Sequence, residues 1–316
     1  MLMHPAATPC RDVEVPLPSD LHRFGKTIAA RLSGNPAGPL VAAIGGISAD
    51  RHVCTRATGQ PGWWAALVGP GEAIDPARYR ILGLDFAADP TGRAAPSTGD
   101  QARVLCAALD AARAERADLV LGASYGGMVA LALAERHPER VARVAALSAP
   151  AAPHPAATAA RELQRRTVAL GLASGRGEEA LAIARGIAML SYRTREEFGA
   201  RFAGGLPSED PLAASEAGAY LRARGEAYRD VMTPQRFLSL SASIDRHEID
   251  PGRIACPVLL IGASSDQLVP PCQLEALAAA LPSSELHIFP CLYGHDMFLK
   301  ETARIAPLVA RFLEAA

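Results

Sequence analysis

"LVLGASYGGMVALALAERHPERV", Leu119 to Val141, is the stretch on which the fold turns. A short apolar, branched segment runs through Gly122-Ala123-Ser124-Tyr125-Gly126 into a stretch of helical periodicity. Buried strand, G-x-S-x-G turn and helix, in that order, describe a nucleophile elbow. Glycines two residues either side of the serine let the turn close without side-chain clashes, and the corner forces Ser124 into a strained backbone region above the sheet. Ser124 then stands at the N-terminus of a helix, whose partial positive charge favours a nearby oxyanion. The backbone N–H of Tyr125 is expected to be one oxyanion donor.

A serine hydroxyl needs a base, and the base needs an orienting group. Asp266 ends the apolar run "VLLIGASSD", and His295 follows the next one, in "ELHIFPCLYGHD". The chain order Ser, acid, His is the one expected after an elbow of this kind. In that reading His295 takes the Ser124 proton on attack and returns it to the leaving group, while Asp266 fixes the imidazole tautomer. His137 precedes a proline, His154 lies between prolines, His247 sits in the acidic turn "DRHEID", and His287 falls within a strand. None of these follows the last strand in a glycine-containing loop. A second oxyanion donor is expected from "GGISAD" (45–50), with the Ile47 N–H as the candidate.

Outward from the elbow, short apolar runs recur at 39–46, 79–86, 117–124, 140–149, 256–266 and 284–290, each bounded by Gly, Pro, Asp or Ser. Helix-period segments lie between them, as at 100–115 and 126–139. This alternation predicts an α/β fold: a mostly parallel sheet with helices on both faces. "RDVEVPL" (11–17) alternates and predicts an antiparallel N-terminal strand. The rhythm breaks from 153 to 245, where every segment reads as helix. The expected organisation is a core of residues 1–152 and 246–316, interrupted by an all-helical cap (153–245) over the carboxyl edge of the sheet, where open α/β sheets keep their sites.

The 316 residues can bury a sizeable core, and a formal net charge of -1 gives no electrostatic footprint for nucleic acid or an anionic membrane. No window reaches the roughly 18 apolar residues of a membrane span. The N-terminal residues lack the basic and apolar segments of a secretion signal. The six cysteines are scattered without a C-x-x-C pair, poor spacing for a metal site or a disulfide framework. Reduced thiols, most of them small core residues, and a cytoplasmic location are expected, with no bound metal or cofactor.

Four stretches together resemble the homoserine O-acyltransferases of methionine biosynthesis, in the acetyltransferase-type branch of the α/β-hydrolase fold. "GWWAALVGPGEAIDPARYRIL" (62–82) looks like that family's G-W-W…G-P-G-x-x-I-D-x-x-R-Y. "GASYGGMVALALAERHPERV" is similar to its elbow helix, "SSDQLVPPCQLEALAAALP" (264–282) to its S-D-x-x-x-P-P-x-Q block, and "YGHDMFLKE" (293–301) to its Y-G-H-D-A-F-L. The resemblance runs over roughly residues 40 to 310. It implies ping-pong acyl transfer from acyl-coenzyme A, as co-substrate, through acylated Ser124 to the hydroxyl of L-homoserine. "ARGIAMLSYRTREEF" (184–198) resembles the helix that supplies an arginine and a tyrosine to homoserine, here Arg185 and Tyr192. Arg185 would grip the α-carboxylate and Asp296 the α-ammonium. The family also implies a homodimer paired through cap helices.

The chain departs from the family in places. Gly45-Gly46-Ile47-Ser48-Ala49 stands where a His and a Leu-Thr-Gly are usual, Tyr125 replaces Met, and residues 84–101 form a trimmed loop. These features look like a compact branch using succinyl rather than acetyl donors, and Arg51 and Tyr125 are candidates to meet the extra carboxylate. Transfer to another small hydroxyl acceptor, such as serine or a natural-product alcohol, and simple ester hydrolysis are the alternatives. A non-enzymatic binding protein on the same scaffold is the third reading.

Overall fold

The computed structural model describes residues 10–56, 58–202, 204 and 209–315; part of the N-terminal stretch read above, residues 1–9, lies outside them. Eight strands form one sheet: β1 (Cys10–Pro16), β2 (Thr27–Gly34), β3 (Leu40–Ile44), β4 (Arg80–Leu84), β5 (Leu119–Ala123), β6 (Val144–Leu147), β7 (Val258–Ala263) and β8 (Ser284–Phe289). Their order is β1-β2-β4-β3-β5-β6-β7-β8. β2 runs antiparallel to both β1 and β4, and the pairings from β4 through β8 are all parallel.

β2 is the strand that the sequence reading missed. "TIAARLSG" alternates only through Ile28, Ala30 and Leu32, and its alanines and arginine suit a helix equally well. Pairing on both edges decides the matter, with Ala30 opposite Val13 on one side and Leu84 on the other.

The central parallel strands are short and buried on both faces, as β5 and β7 are along their whole length. Side-chain alternation divides the core in two. Val120 faces the layer of α1 (Thr98–Ala111) and α2 (Tyr125–Arg136), while Leu119 and Leu121 face Trp64 and the C-terminal helices. Between β6 and β7 lie only helices among the described residues: α3 (Pro155–Ala173), α4 (Gly177–Tyr192), α5 (Arg195–Arg201), α6 (Glu216–Tyr228) and α7 (Pro234–Ile244). α8 (Pro271–Ala280), α9 (Met297–Lys300) and α10 (Thr302–Glu314) follow in the second part of the core.

β4 lies on one side of β3 and β5 on the other, so the strand order reverses around β3. The loops leaving β3 and β5 therefore diverge at a topological switch point, where a crevice opens at the strand ends. Ser124 and the Gly45–Ile47 turn are both there. None of the six free cysteines is fully buried: Cys10 and Cys272 are exposed, and the other four, half-buried, pack against the margins of the two core clusters. The β-branched and leucine side chains fill the sheet layers instead.

Candidate active site

Ser124 follows β5 directly and has φ 54° and ψ −119°, in a backbone region that costs a non-glycine residue about 1–3 kcal/mol. Its N–H donates to Leu147 O at 2.8 Å, and Gly126 N–H donates to Gly45 O at 2.9 Å, tying the corner to both flanking strand ends. A Cβ on Gly126 would lie 2.3 Å from Ile44 O, and one on Gly122 2.4 Å from Gly126 O. The glycines of the motif are thus dictated by close approach of backbone to backbone. The Ile47 and Tyr125 N–H groups donate to no protein acceptor among the described residues.

His295 lies in a short 3-10 turn (Gly294–Asp296) after β8. Its Nε2 is 2.8 Å from Ser124 Oγ, and its Nδ1 is 2.8 Å from Asp266 Oδ2. Asp266 Oδ1 accepts the Leu268 and Val269 N–H groups at 2.9 and 3.0 Å, so its carboxylate cannot rotate freely. Both His295 and Asp266 are buried. Burial disfavours the imidazolium, but the charge and hydrogen bond of Asp266 outweigh it and raise the His295 pKa above its usual value. Gly294, at φ 56°, lets the turn approach α4: a Cβ there would sit 2.7 Å from Tyr192 O. Trp64 supports the same segment by donating its indole N–H to Phe298 O at 2.9 Å.

Ser124 and His295 open into a cavity whose far wall comes from the helices between β6 and β7. α3 contributes Ala157, Ala160, Arg161 and Gln164, and α4 contributes Ser191 and Tyr192. The Tyr192 ring lies 5.8 Å from the His295 ring. Arg185 rests over Tyr192 at 5.3 Å and over Tyr228 at 4.7 Å, and forms no ion pair among the described residues. The structure thus brings the expected Arg185 and Tyr192 onto one face of α4, with Tyr192 beside the histidine; Arg185 stands behind Tyr192, and neither it nor Asp296 is among the residues that line the cavity. Asp296 has a neighbour the sequence did not suggest. Arg193 Nε is 2.6 Å from its Oδ2, off the line of a hydrogen bond, and Arg193 also bonds Glu197 Oε1 at 2.6 Å.

Two candidates for an acyl carboxylate are corrected. The Tyr125 hydroxyl points into the core, 2.5 Å from Ser243 Oγ, and its ring packs edge-on to Phe86. Burial pushes its pKa up. Arg51 is held by Asp85 at 2.9 Å. Neither side chain lines the cavity. The arginine that does is Arg161, which the sequence reading passed over. Its Nε donates to Asp245 Oδ1 at 2.7 Å, and Arg165 Nη1 donates to Oδ2 of the same carboxylate at 2.6 Å. Two guanidiniums against one carboxylate leave this wall with net positive charge. A usable signal was present: Gln164 shares the buried stripe of α3 with Ala157, Val168 and Gly171, a polar residue where apolar ones are expected. His247, in the turn after α7 and outside the site, is a buried residue, bonded through Nδ1 to Thr98 Oγ1 (2.8 Å) and through Nε2 to Pro150 O (3.0 Å), and burial lowers its pKa to about 4.

The model of the alpha/beta hydrolase fold matches residues 56–302. A homoserine O-succinyltransferase from Xanthomonas campestris pv. campestris is 41% identical over 285 residues, spanning 89% of this chain and 77% of its own. The chain belongs to the α/β-hydrolase family, in its homoserine O-acyltransferase branch. A homoserine O-acetyltransferase from Thermus thermophilus is 34% identical over 289 residues, covering 82% of this chain and 73% of that one. Esterase E22, a solved structure, superposes with a TM-score of 0.84 at 19% identity, over 97% of this chain and 100% of its own. That last likeness concerns the fold alone. A scaffold shared with an esterase makes the side chains around Ser124, rather than the sheet, the place to look for the reaction. Among the described residues no helix is long and apolar enough to cross a membrane, and no cluster of His, Cys, Asp and Glu could hold a metal ion.

Proposed function

We propose that the protein is a homoserine O-succinyltransferase working through an acyl-serine, with Ser124, His295 and Asp266 as its triad. His295 Nε2 takes the Ser124 proton as Oγ attacks the thioester carbonyl of the acyl-coenzyme A. The Ile47 and Tyr125 N–H groups receive the resulting oxyanion. The C–S bond then breaks, and the leaving thiolate takes the proton from His295. In the second half His295 accepts the homoserine hydroxyl proton, the alkoxide attacks the acyl-serine, and the proton returns to Ser124 Oγ as the new ester departs.

The acceptor clamp is the Arg185, Tyr192 and Asp296 set. An unpaired arginine for the α-carboxylate and an aspartate beside the catalytic histidine suit a zwitterion, and a simple esterase has no use for them. Arg193 holds Asp296 in position.

The observation that carries the donor assignment is Arg161 on the cavity wall. Its Nη1 donates to no protein group among the described residues, and its wall is net positive, as a dicarboxylic half-thioester requires. The 41% identity to a homoserine O-succinyltransferase points the same way. Such an acceptor places the enzyme in methionine biosynthesis, and acyl-coenzyme A chemistry suits the cytoplasm. We assign a homodimer to the apolar residues that α3 and α4 leave exposed, among them Leu163, Leu170, Ile183 and Leu190.

The test is coenzyme A release from succinyl-CoA and from acetyl-CoA, each with and without L-homoserine. Homoserine-dependent release favouring succinyl-CoA supports the reading. Equal slow release with and without homoserine overturns it in favour of hydrolysis or another acceptor.

A further inference from the structure

Gln164 is buried to 4% exposure on α3 and lines the same cavity as Ser124, His295 and Arg161. Its carboxamide makes no hydrogen bond to any protein group among the described residues. Its amide atoms open to the cavity rather than being sealed in the core, and its neighbours on the stripe, Ala157 and Val168, show that an apolar residue fits there. A glutamine serving only to fill the core would be expected to find a backbone partner. This one faces the space where the acyl group must lie.

Resting on the succinyl reading above, we infer that Gln164 is a donor-specificity residue, its carboxamide N–H bonding the terminal carboxylate that Arg161 meets as a cation. On one helix, residues 161 and 164 lie three apart and present neighbouring side chains to one ligand. Ala157 and Ala160, the other α3 residues on this wall, are small and leave room for a four-carbon acyl chain. A carboxylate has about four acceptor positions, more than the single free Nη1 of Arg161 can satisfy. The second donor is best neutral. Arg161, Arg165 and Asp245 already sum to one positive charge, which the single terminal carboxylate of the donor balances. A further cation would leave buried charge unmatched.

The experiment compares succinyl-CoA with butyryl-CoA, a donor of equal length without the carboxylate. Coenzyme A release and the mass of acylated Ser124 are measured for wild type, Gln164→Leu and Gln164→Glu. Gln164→Leu should lose about 10-fold in kcat/KM for succinyl-CoA and Gln164→Glu about 100-fold, with butyryl-CoA unchanged or improved. Equal losses for both donors, accompanied by a lower Tm, would make Gln164 a packing residue and overturn the inference. So would an unchanged donor preference in Gln164→Leu. A wild type that does not prefer succinyl-CoA overturns the donor assignment and this inference together. A wild type that prefers succinyl-CoA but ignores homoserine overturns the acceptor assignment only, and the donor preference of the Gln164 variants then decides this inference by itself.

Discussion

Arg161 and Asp245 join two helices of the segment between β6 and β7: the Nη2 of an α3 residue lies 2.6 Å from Oδ1 of the residue that caps the C-terminus of α7. Asp245 orients Arg161 toward the cavity and does not fully neutralise it, because Arg165 shares the same carboxylate. Arg161→Gln should therefore lower kcat/KM for succinyl-CoA by about 100-fold, the scale of a charge-assisted hydrogen bond, and leave butyryl-CoA within a few-fold. Steady-state kinetics with the two donors checks it.

Ser124 combines strain with chemistry. Its φ of 54° is a conformation that glycine adopts without penalty. Both Ser124→Ala and Ser124→Gly should abolish acylation, with kcat down by about 10⁴-fold or more. They should differ in stability, since Ser124→Gly relieves strain that Ser124→Ala retains, by about 1 kcal/mol. Denaturant unfolding of the pair measures that difference.

Activity should rise with pH. His295 must be neutral to accept the Ser124 proton, and its pKa lies above the usual 6.5 because Asp266 outweighs burial. The acid limb of kcat/KM should then have its midpoint above pH 6.5. Asp266→Asn removes the stabilising charge, so it should move that limb to lower pH while reducing kcat by about 10⁴-fold. A pH profile of coenzyme A release reads both effects.

His247 should make stability fall in mild acid. Folded, it stays neutral down to about pH 4, whereas the unfolded chain takes up its proton near 6.5. Between those values the unfolded state binds more protons, so stability rises with pH through the window and is lost as pH falls through it. The separation of the two pKa values corresponds to about 3 kcal/mol. Thermal unfolding from pH 7 to 4 should show the decline, and His247→Gln should flatten it.

The exposed leucines and isoleucines of α3 and α4 lead to a prediction about assembly. Leu163 and Leu170 are 60% and 73% exposed and two turns apart on α3; on α4, Ile183 and Leu190 are 52% and 54% exposed at the same spacing. Stripes of this kind mark protein contact surfaces. The double substitution Leu163→Glu with Leu170→Glu should halve the mass measured by light scattering and leave the secondary structure intact. A wild-type mass equal to one chain would refute the dimer.

Much of this site is readable along the chain because its chemistry is local. The elbow is a continuous strand, turn and helix, so its glycines and serine fall at fixed spacing in "GASYGG". Asp266 and His295 sit just beyond their strands, where a parallel sheet brings loop residues to one edge. The helical stretch from 153 to 245 is visible as a break in alternation, and the Arg185 to Tyr192 spacing follows from helical repeat. β2 was hidden because its alanines carry no period strong enough to exclude a helix, and its two neighbours in the sheet come before and after it in the chain.

Composition, spacing and motif were enough to determine an α/β sheet, the strand–turn–helix corner at Ser124 and the loop positions of Asp266 and His295, since these depend on neighbours in sequence. Which polar groups face the cavity was decided only by tertiary packing. The Tyr125 hydroxyl, at the far end of its ring, finds Ser243 more than a hundred residues away and turns into the core. Arg161 and Gln164 face the cavity because α3 packs on α4 and α7 in one rotation about its axis. No local pattern states that rotation, because it is set by side chains on three helices that meet only when the chain has folded.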